Sequence, residues 1–463
     1  MNGKLERKYD LFTAICMVVG IVIGSGVFFK AQTVLTKTGG DMPLGILAWI
    51  IGGAIMLVCL LTFSFMGQKY ERVNGLVDYA EATVSPRYGY YMGWFCSTVY
   101  YPSMTSALAW LAARYTLVFV TSANPAFPLI IPAAEGGCMI GPECMALTLF
   151  YLCAAYAINV LSPKLAGKFQ TSTTVIKLIP LGLMAVIGVI YGVANGTLQQ
   201  NFVADAQVEG SSSHPLFAAV CSTAFAYEGW IIATSINAEI KDSKKNLPKA
   251  LTIGGIIIAA VYIFYYVGVA GGATNQALID QGATVAFTNI FGGVLGNILN
   301  LFIAVSCMGT LNGLMMACSR GMYSLASRGE GPAPEMFSQV DTHTNMPNNS
   351  AVFALLVTAA WFLYFFLSNL ACTWTGPFVF DSTELPIITI YLMYLPIFIQ
   401  WIRKETKESA MRRFVLPSLA LCGSAFMIVA CVFSHGWGCL WYLMVFGVVM
   451  VIGGLADKSR KKS

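Results

Sequence analysis

Charge is what this sequence has least of: only 11% of its 463 residues are Asp, Glu, Lys or Arg. Water-soluble domains carry roughly 25%, so an ordinary hydrated surface is excluded. Histidine is nearly missing, and the three present, His214, His343 and His435, stand in or beside loops on different faces. No Ser/His/Asp set, phosphate-binding glycine loop or Cys/His metal spacing accompanies them, which argues against an enzyme, a metal centre or a cofactor. The thirteen cysteines never form a Cys-x-x-Cys pair. Most stand singly in apolar runs, as Cys16, Cys59, Cys96, Cys153, Cys221, Cys307 and Cys318 do, where a thiol packs as a small hydrophobe. A channel filter repeated around a pore axis, or rings of charge, is also missing. The polar start, residues 1–10, leads into an apolar run past residue 30 without a small-residue cleavage site. That run is therefore expected to stay as a span rather than leave as a signal peptide.

What is there is apolar length. Hydrophobic residues make up 57% of the chain, and mean hydropathy is +0.69. Stretches long enough to cross a bilayer fall near 10–36, 44–66, 89–120, 144–161, 170–193, 215–239, 249–272, 286–324, 350–368, 375–401, 413–433 and 437–455. The reading is an all-α polytopic membrane protein of twelve spans, one transmembrane domain over 1–463, with the long third and eighth spans tilted or overrunning the bilayer. With both termini in the cytoplasm, inner segments collect 23 of the 27 Lys and Arg residues. The outer loops receive only Lys30 and Lys37, and Arg114 and Lys177 fall within spans. This asymmetry supports the count and the orientation together, and a plasma-membrane location is expected.

Two spans carry an interruption. Gly24-Ser25-Gly26 stands in the middle of the first, where each glycine weakens a helix by roughly 1 kcal/mol. Alone, such a triplet reads as close helix packing. The sixth span repeats the feature as Phe225-Ala226-Tyr227-Glu228-Gly229-Trp230, now with a carboxylic acid. Two breaks five spans apart predict a five-plus-five inverted repeat, about 10–193 and 215–401, with two appended helices at about 413–455. In such folds the amides that open one half-helix receive an anionic group, and the carbonyls that close another receive a cation. A zwitterion fits both poles: its carboxylate at the amides around Ser25 and Gly26, its ammonium at the carbonyls of Ile23, Phe225 and Tyr227. The predicted substrate site is Ile23, Gly24, Ser25, Gly26, Phe225, Ala226, Tyr227, Glu228 and Gly229.

Gly24-Ser-Gly-Val-Phe28 and Phe225-Ala-Tyr-Glu-Gly-Trp230 resemble the amino acid–polyamine–organocation superfamily. They are most similar to its L-type amino acid transporter branch and to the bacterial serine/threonine and alanine/serine/cysteine exchangers. Lys244-Lys-Asn-Leu-Pro248 and the span-5 lysine agree with it, and the likeness runs through nearly the whole chain, weaker after span 8. The resemblance implies first and sixth helices unwound at mid-membrane, alternating access, and sodium-independent exchange of small neutral amino acids. It also implies a role for Lys177. About eight residues into a span the chain has risen roughly 12 Å, too deep for easy snorkelling, and in the family a lysine there bridges spans 1 and 8 in place of sodium.

Glu228 departs from the small residue that L-type transporters commonly carry. It reads as a proton-coupling group, a counter-ion for a cationic substrate, or a structural acid bonding freed amides, so a proton symporter and a cationic amino acid or polyamine exchanger remain rival readings. Phe225 is placed to cap a bound substrate as a gate, against a plain packing role. Asp381 and Glu384 read as solvated interface acids at the start of span 10, and Arg114 as a snorkelling side chain. Cys138 and Cys144 share an outer loop, and a disulfide between them depends on the compartment. Some eukaryotic relatives bond a heavy chain at that loop; no such subunit is expected here, and the partners are small-molecule amino acids and lipid, not nucleic acid.

Overall fold

The computed structural model describes residues 10–24, 26–70, 75–132, 139–203, 212–233, 240–374 and 376–457. Its principal elements are α1 (Leu11–Val22), α2 (Gly26–Lys37), α3 (Met42–Lys69), α4 (Pro86–Ala123), α5 (Pro142–Leu161), α6 (Pro163–Ala194), α7 (Pro215–Tyr227) and α8 (Trp230–Ala233). They are followed by α9 (Ser243–Gly272), α10 (Ala283–Ala326), α11 (Asn348–Leu370), α12 (Leu385–Lys404), α13 (Met411–His435) and α14 (Trp437–Ala456). Ten of these helices are long and apolar enough to cross a membrane unaided. The expected spans 10–36 and 215–239 are each divided, into α1 with α2 and α7 with α8.

Local chemistry starts the helices. Asp10, Asp41 and Ser85 each accept the backbone N–H three residues on, at 2.8, 2.9 and 3.2 Å, and proline opens α4, α5, α6 and α7 where a missing N–H costs nothing. The span expected at 375–401 starts later, at Leu385. Asp381 explains the delay: its carboxylate caps the N–H groups of Thr383 and Glu384 at 2.7 and 2.9 Å and so fixes the helix start there. The long eighth span is resolved by a kink rather than by tilt alone, because α10 breaks at Gly292, whose φ of 78° suits glycine.

Burial sorts the helices into centre and rim. In their most apolar stretches 72% of α4 and 67% of α12 is buried, against 22% of α14. The rim exposes Leu149 and Phe150 on α5, Val186 and Ile190 on α6, and Leu455 on α14. Apolar faces of this kind on helices belong in lipid. This is a multi-pass membrane protein.

One seam in the bundle has no side chains. A Cβ on Gly188 of α6 would lie 2.5 Å from the carbonyl oxygen of Gly268 on α9, and one on Gly268 would overlap the carbonyl of Met184. Gly192 and Gly271 meet in the same way one turn further. The two backbones are in direct contact, as small residues allow between membrane helices.

Candidate functional site

The first break is a true loss of helix. Val22 ends α1, Ile23 is extended at φ −67° and ψ 99°, and Gly26 begins α2. The second has the same form: Tyr227 ends α7, Glu228 is extended at φ −74° and ψ 161°, and Gly229 takes φ 104° before α8 begins at Trp230. That angle explains the glycine at 229. Ser25 lies outside the described residues, as does Cys138, so the Cys138–Cys144 pairing is not described.

The breaks meet. A Cβ on Gly26 would stand 2.7 Å from Ala226 Cα and 3.2 Å from the Phe225 carbonyl oxygen. The amide-bearing start of α2 thus rests against the carbonyl-bearing end of α7. A Cβ on Gly24 would meet Thr310 of α10 at 2.8 Å. Ile23, Gly24, Gly26, Phe225, Ala226, Tyr227 and Glu228 are all buried.

A helix that stops in an apolar interior leaves its last carbonyls bare. At α1 two side chains take them. Lys177 of α6, fully buried, donates its ammonium to the Gly20 carbonyl. Tyr262 of α9 donates its hydroxyl to the Val22 carbonyl at 3.1 Å and to the Ala226 carbonyl at 3.0 Å, so that one side chain joins both breaks. A cation at the C-terminus of α1 also opposes the helix dipole. Around this pair, Tyr227 donates to the Trp49 carbonyl at 2.9 Å, and Trp49 packs on Tyr227 and Tyr262 edge to face.

Tyr262 was not singled out by the sequence reading, although a polar-tipped aromatic inside a span is a usable signal. Its effect is testable. Tyr262→Phe should lower turnover several-fold, the equivalent of about 1 kcal/mol for a lost hydrogen bond. The control is Tyr265→Phe, whose buried hydroxyl has no hydrogen-bond partner among the described residues. Equal rates for the two variants would remove Tyr262 from the site.

Glu228 accepts the hydroxyl of Tyr100. Tyr100 ends a π-helical turn of α4, Cys96–Tyr100, a local widening often found at working sites.

Three charged side chains stand elsewhere than expected. Lys30, assigned to an outer loop, is buried on α2, and Glu384, read as a solvated acid, is its partner at 2.5 Å. His435, at the end of α13 beside the Gly436 turn, completes the group with Nε2 3.2 Å from Glu384. Lys30 already lay inside the 10–36 apolar run, so its place in a span was readable; its acid lies 354 residues away and was not. The Lys30 ammonium also lies 5.2 Å from the Phe225 ring centroid, so the expected gate is held by a cation. Arg114 does not snorkel: it is buried, with its guanidinium 5.8 and 5.3 Å from the Trp110 and Tyr115 rings. The electron-rich ring faces stabilise the cation inside the bundle.

The described geometry fits a known family: the amino acid permease model matches residues 9–453. The chain belongs to that family. This permease is accordingly a transporter of the amino acid–polyamine–organocation superfamily and not an enzyme. It is 28% identical over 448 residues to the serine/threonine exchanger SteT of Bacillus subtilis, covering 95% of the permease and 94% of that protein. It is 26% identical to the large neutral amino acids transporter small subunit 2 of Rattus norvegicus, over 76% of its own length and 64% of the relative's. With the Asc-type amino acid transporter 1 of Mus musculus it shares 25% identity, over 71% of its own length and 60% of the relative's. The permease therefore spans less than two thirds of these two mammalian proteins.

Proposed function

We propose that this permease is a sodium-independent exchanger of small neutral L-amino acids, working by alternating access in the plasma membrane with both termini in the cytoplasm. The observation that carries the reading is the contact of Gly26 with Ala226, which sets a helix start against a helix end in the buried centre of the bundle. One pole offers amides for a carboxylate, around Ser25 and Gly26. The other offers the carbonyls of Ile23, Phe225 and Tyr227 for an ammonium. Lys177 places its side-chain nitrogen on the Gly20 carbonyl where α1 ends, which is the ground for expecting no dependence on sodium. The names of the relatives, exchangers of serine and threonine or transporters of neutral amino acids, support the same substrate class.

The fold is read as twelve spans, with repeats at about 10–193 and 215–401 and two appended helices at about 413–455. Phe225 acts as the gate above the substrate. Glu228 is a structural acid held by Tyr100, and no accessory heavy chain is needed.

Proteoliposomes loaded with unlabelled serine test this. Labelled serine or alanine should enter only against internal amino acid, at the same rate when sodium is replaced by potassium. Accumulation without internal substrate under a pH gradient would reassign the protein as a proton symporter, and uptake of arginine would reassign the substrate class. Glu228→Gln should keep exchange within about threefold, since the amide still accepts from Tyr100 at a cost near the ~0.5–1.5 kcal/mol of one hydrogen bond. A pH dependence present in the parent and lost in that variant would make Glu228 a coupling group instead.

A further inference from the structure

Beside the Lys30–Glu384 pair the bundle holds a second set of donors. Cys221 of α7, Cys431 of α13 and His435 at the end of α13 bring two Sγ atoms and a ring nitrogen within 4.8 Å of one another. The Cys221 Sγ to His435 Nε2 separation is 3.9 Å. Tetrahedral zinc at Zn–S of about 2.3 Å and Zn–N of about 2.0 Å sets its sulfur and nitrogen ligands roughly 3.5–3.8 Å apart. The cluster is therefore within a few tenths of an ångström of coordination geometry at its Cys221–His435 edge, before any metal draws it in. Glu384 Oε2 lies 3.2 Å from the same nitrogen but outside this set of three donors, which leaves the fourth position of a tetrahedral site open.

We propose that Cys221, Cys431 and His435 form a binding site for a zinc-class divalent cation. Thiolate and imidazole donors together select such borderline-soft ions over magnesium or calcium. Two thiolates balance the charge of the metal, and Lys30, bonded to Glu384 at 2.5 Å, neutralises that carboxylate beside the site. On binding, the two thiols release their protons and three bonds form between protein and metal, with no change of oxidation state. Both cysteines are buried, whereas the His435 side chain is 13% exposed and marks the way in. The ion would tie α7, the half-helix that ends in the second break, to α13. Bound metal would then hold α7 still and slow exchange.

Cobalt is the probe for binding, because a thiolate–cobalt bond has its own charge-transfer absorption. Purified full-length protein, kept reduced with a phosphine, should bind one equivalent of Co2+ with that band and lose the band when Zn2+ is added. Cys221→Ser, Cys431→Ser and His435→Gln should each weaken binding by at least the ~10–100-fold that loss of even an outer-shell partner costs. Cys439→Ser is the control: its sulfur lies 3.6 Å from Cys431 but outside the cluster, and the band should persist. Elution of each variant at the parent's size-exclusion volume separates a lost ligand from a lost fold. A band that survives Cys221→Ser and Cys431→Ser, or that vanishes only with Cys439→Ser, overturns the assignment. In a second arm Zn2+ should inhibit exchange by the parent, reversibly with chelator, and leave Cys431→Ser untouched. That arm rests on the exchanger reading, whereas the absorption arm does not, so failure of one can be told from failure of the other.

Discussion

Lys177→Ala is expected to lower exchange by roughly 10- to 100-fold, the equivalent of the ~1.5–3 kcal/mol carried by a hydrogen bond to a charged group. The substitution removes the side chain that α6 lends to the Gly20 carbonyl, and with it the donor that faces the negative end of that helix. In lipid no water replaces it. The break is then expected to creep, with α1 either extending through Ile23 or fraying back from Val22, and the carbonyls proposed for the substrate ammonium would move with it. Counterflow of labelled serine in proteoliposomes measures the effect, with size-exclusion profiles confirming that the variant still folds. Undiminished exchange in a well-folded variant would return Lys177 to the status of a buried structural cation.

Gly26→Val should abolish transport, and Gly26→Ala should already cost about tenfold, consistent with the ~1–3 kcal/mol of an overpacked core. The first added carbon would meet Ala226 Cα at 2.7 Å, and backbone cannot turn aside. Gly24→Ala is the informative comparison. Its Cβ would meet the hydroxyl of Thr310 at 2.8 Å, and that side chain can rotate, so a loss of no more than about fivefold is expected, at the lower end of the same range. If the two alanine variants behave alike, contact between the breaks is not what the site depends on.

The breaks were readable in the sequence because backbone geometry leaves a mark in residue type. Gly229 at φ 104° and Gly26 against Ala226 are positions where a side chain is excluded, so glycine shows in the string. Lys177 was readable for the opposite reason, since charge in an apolar run is conspicuous. Tyr262 was hidden because tyrosine is unremarkable near a membrane and its two acceptors are backbone carbonyls, which every residue has. The Lys30–Glu384–His435 group was hidden by distance along the chain. Each member alone reads as an interface residue, and only the packing of α2, α12 and α13 makes them one group.

The glycine seam between α6 and α9 bears on how accurately the first break is held. Lys177 stands on α6 and Tyr262 on α9, and these are the two side chains that grip the open end of α1. Because the seam contains only backbone, those grips behave as the jaws of a vise cut from a single block. They have one common setting and cannot be adjusted separately. A methyl group on Gly188, Gly192, Gly268 or Gly271 would meet the backbone of the facing helix and push the jaws apart. The tolerance of the proposed substrate site would thus be set by residues that never touch it.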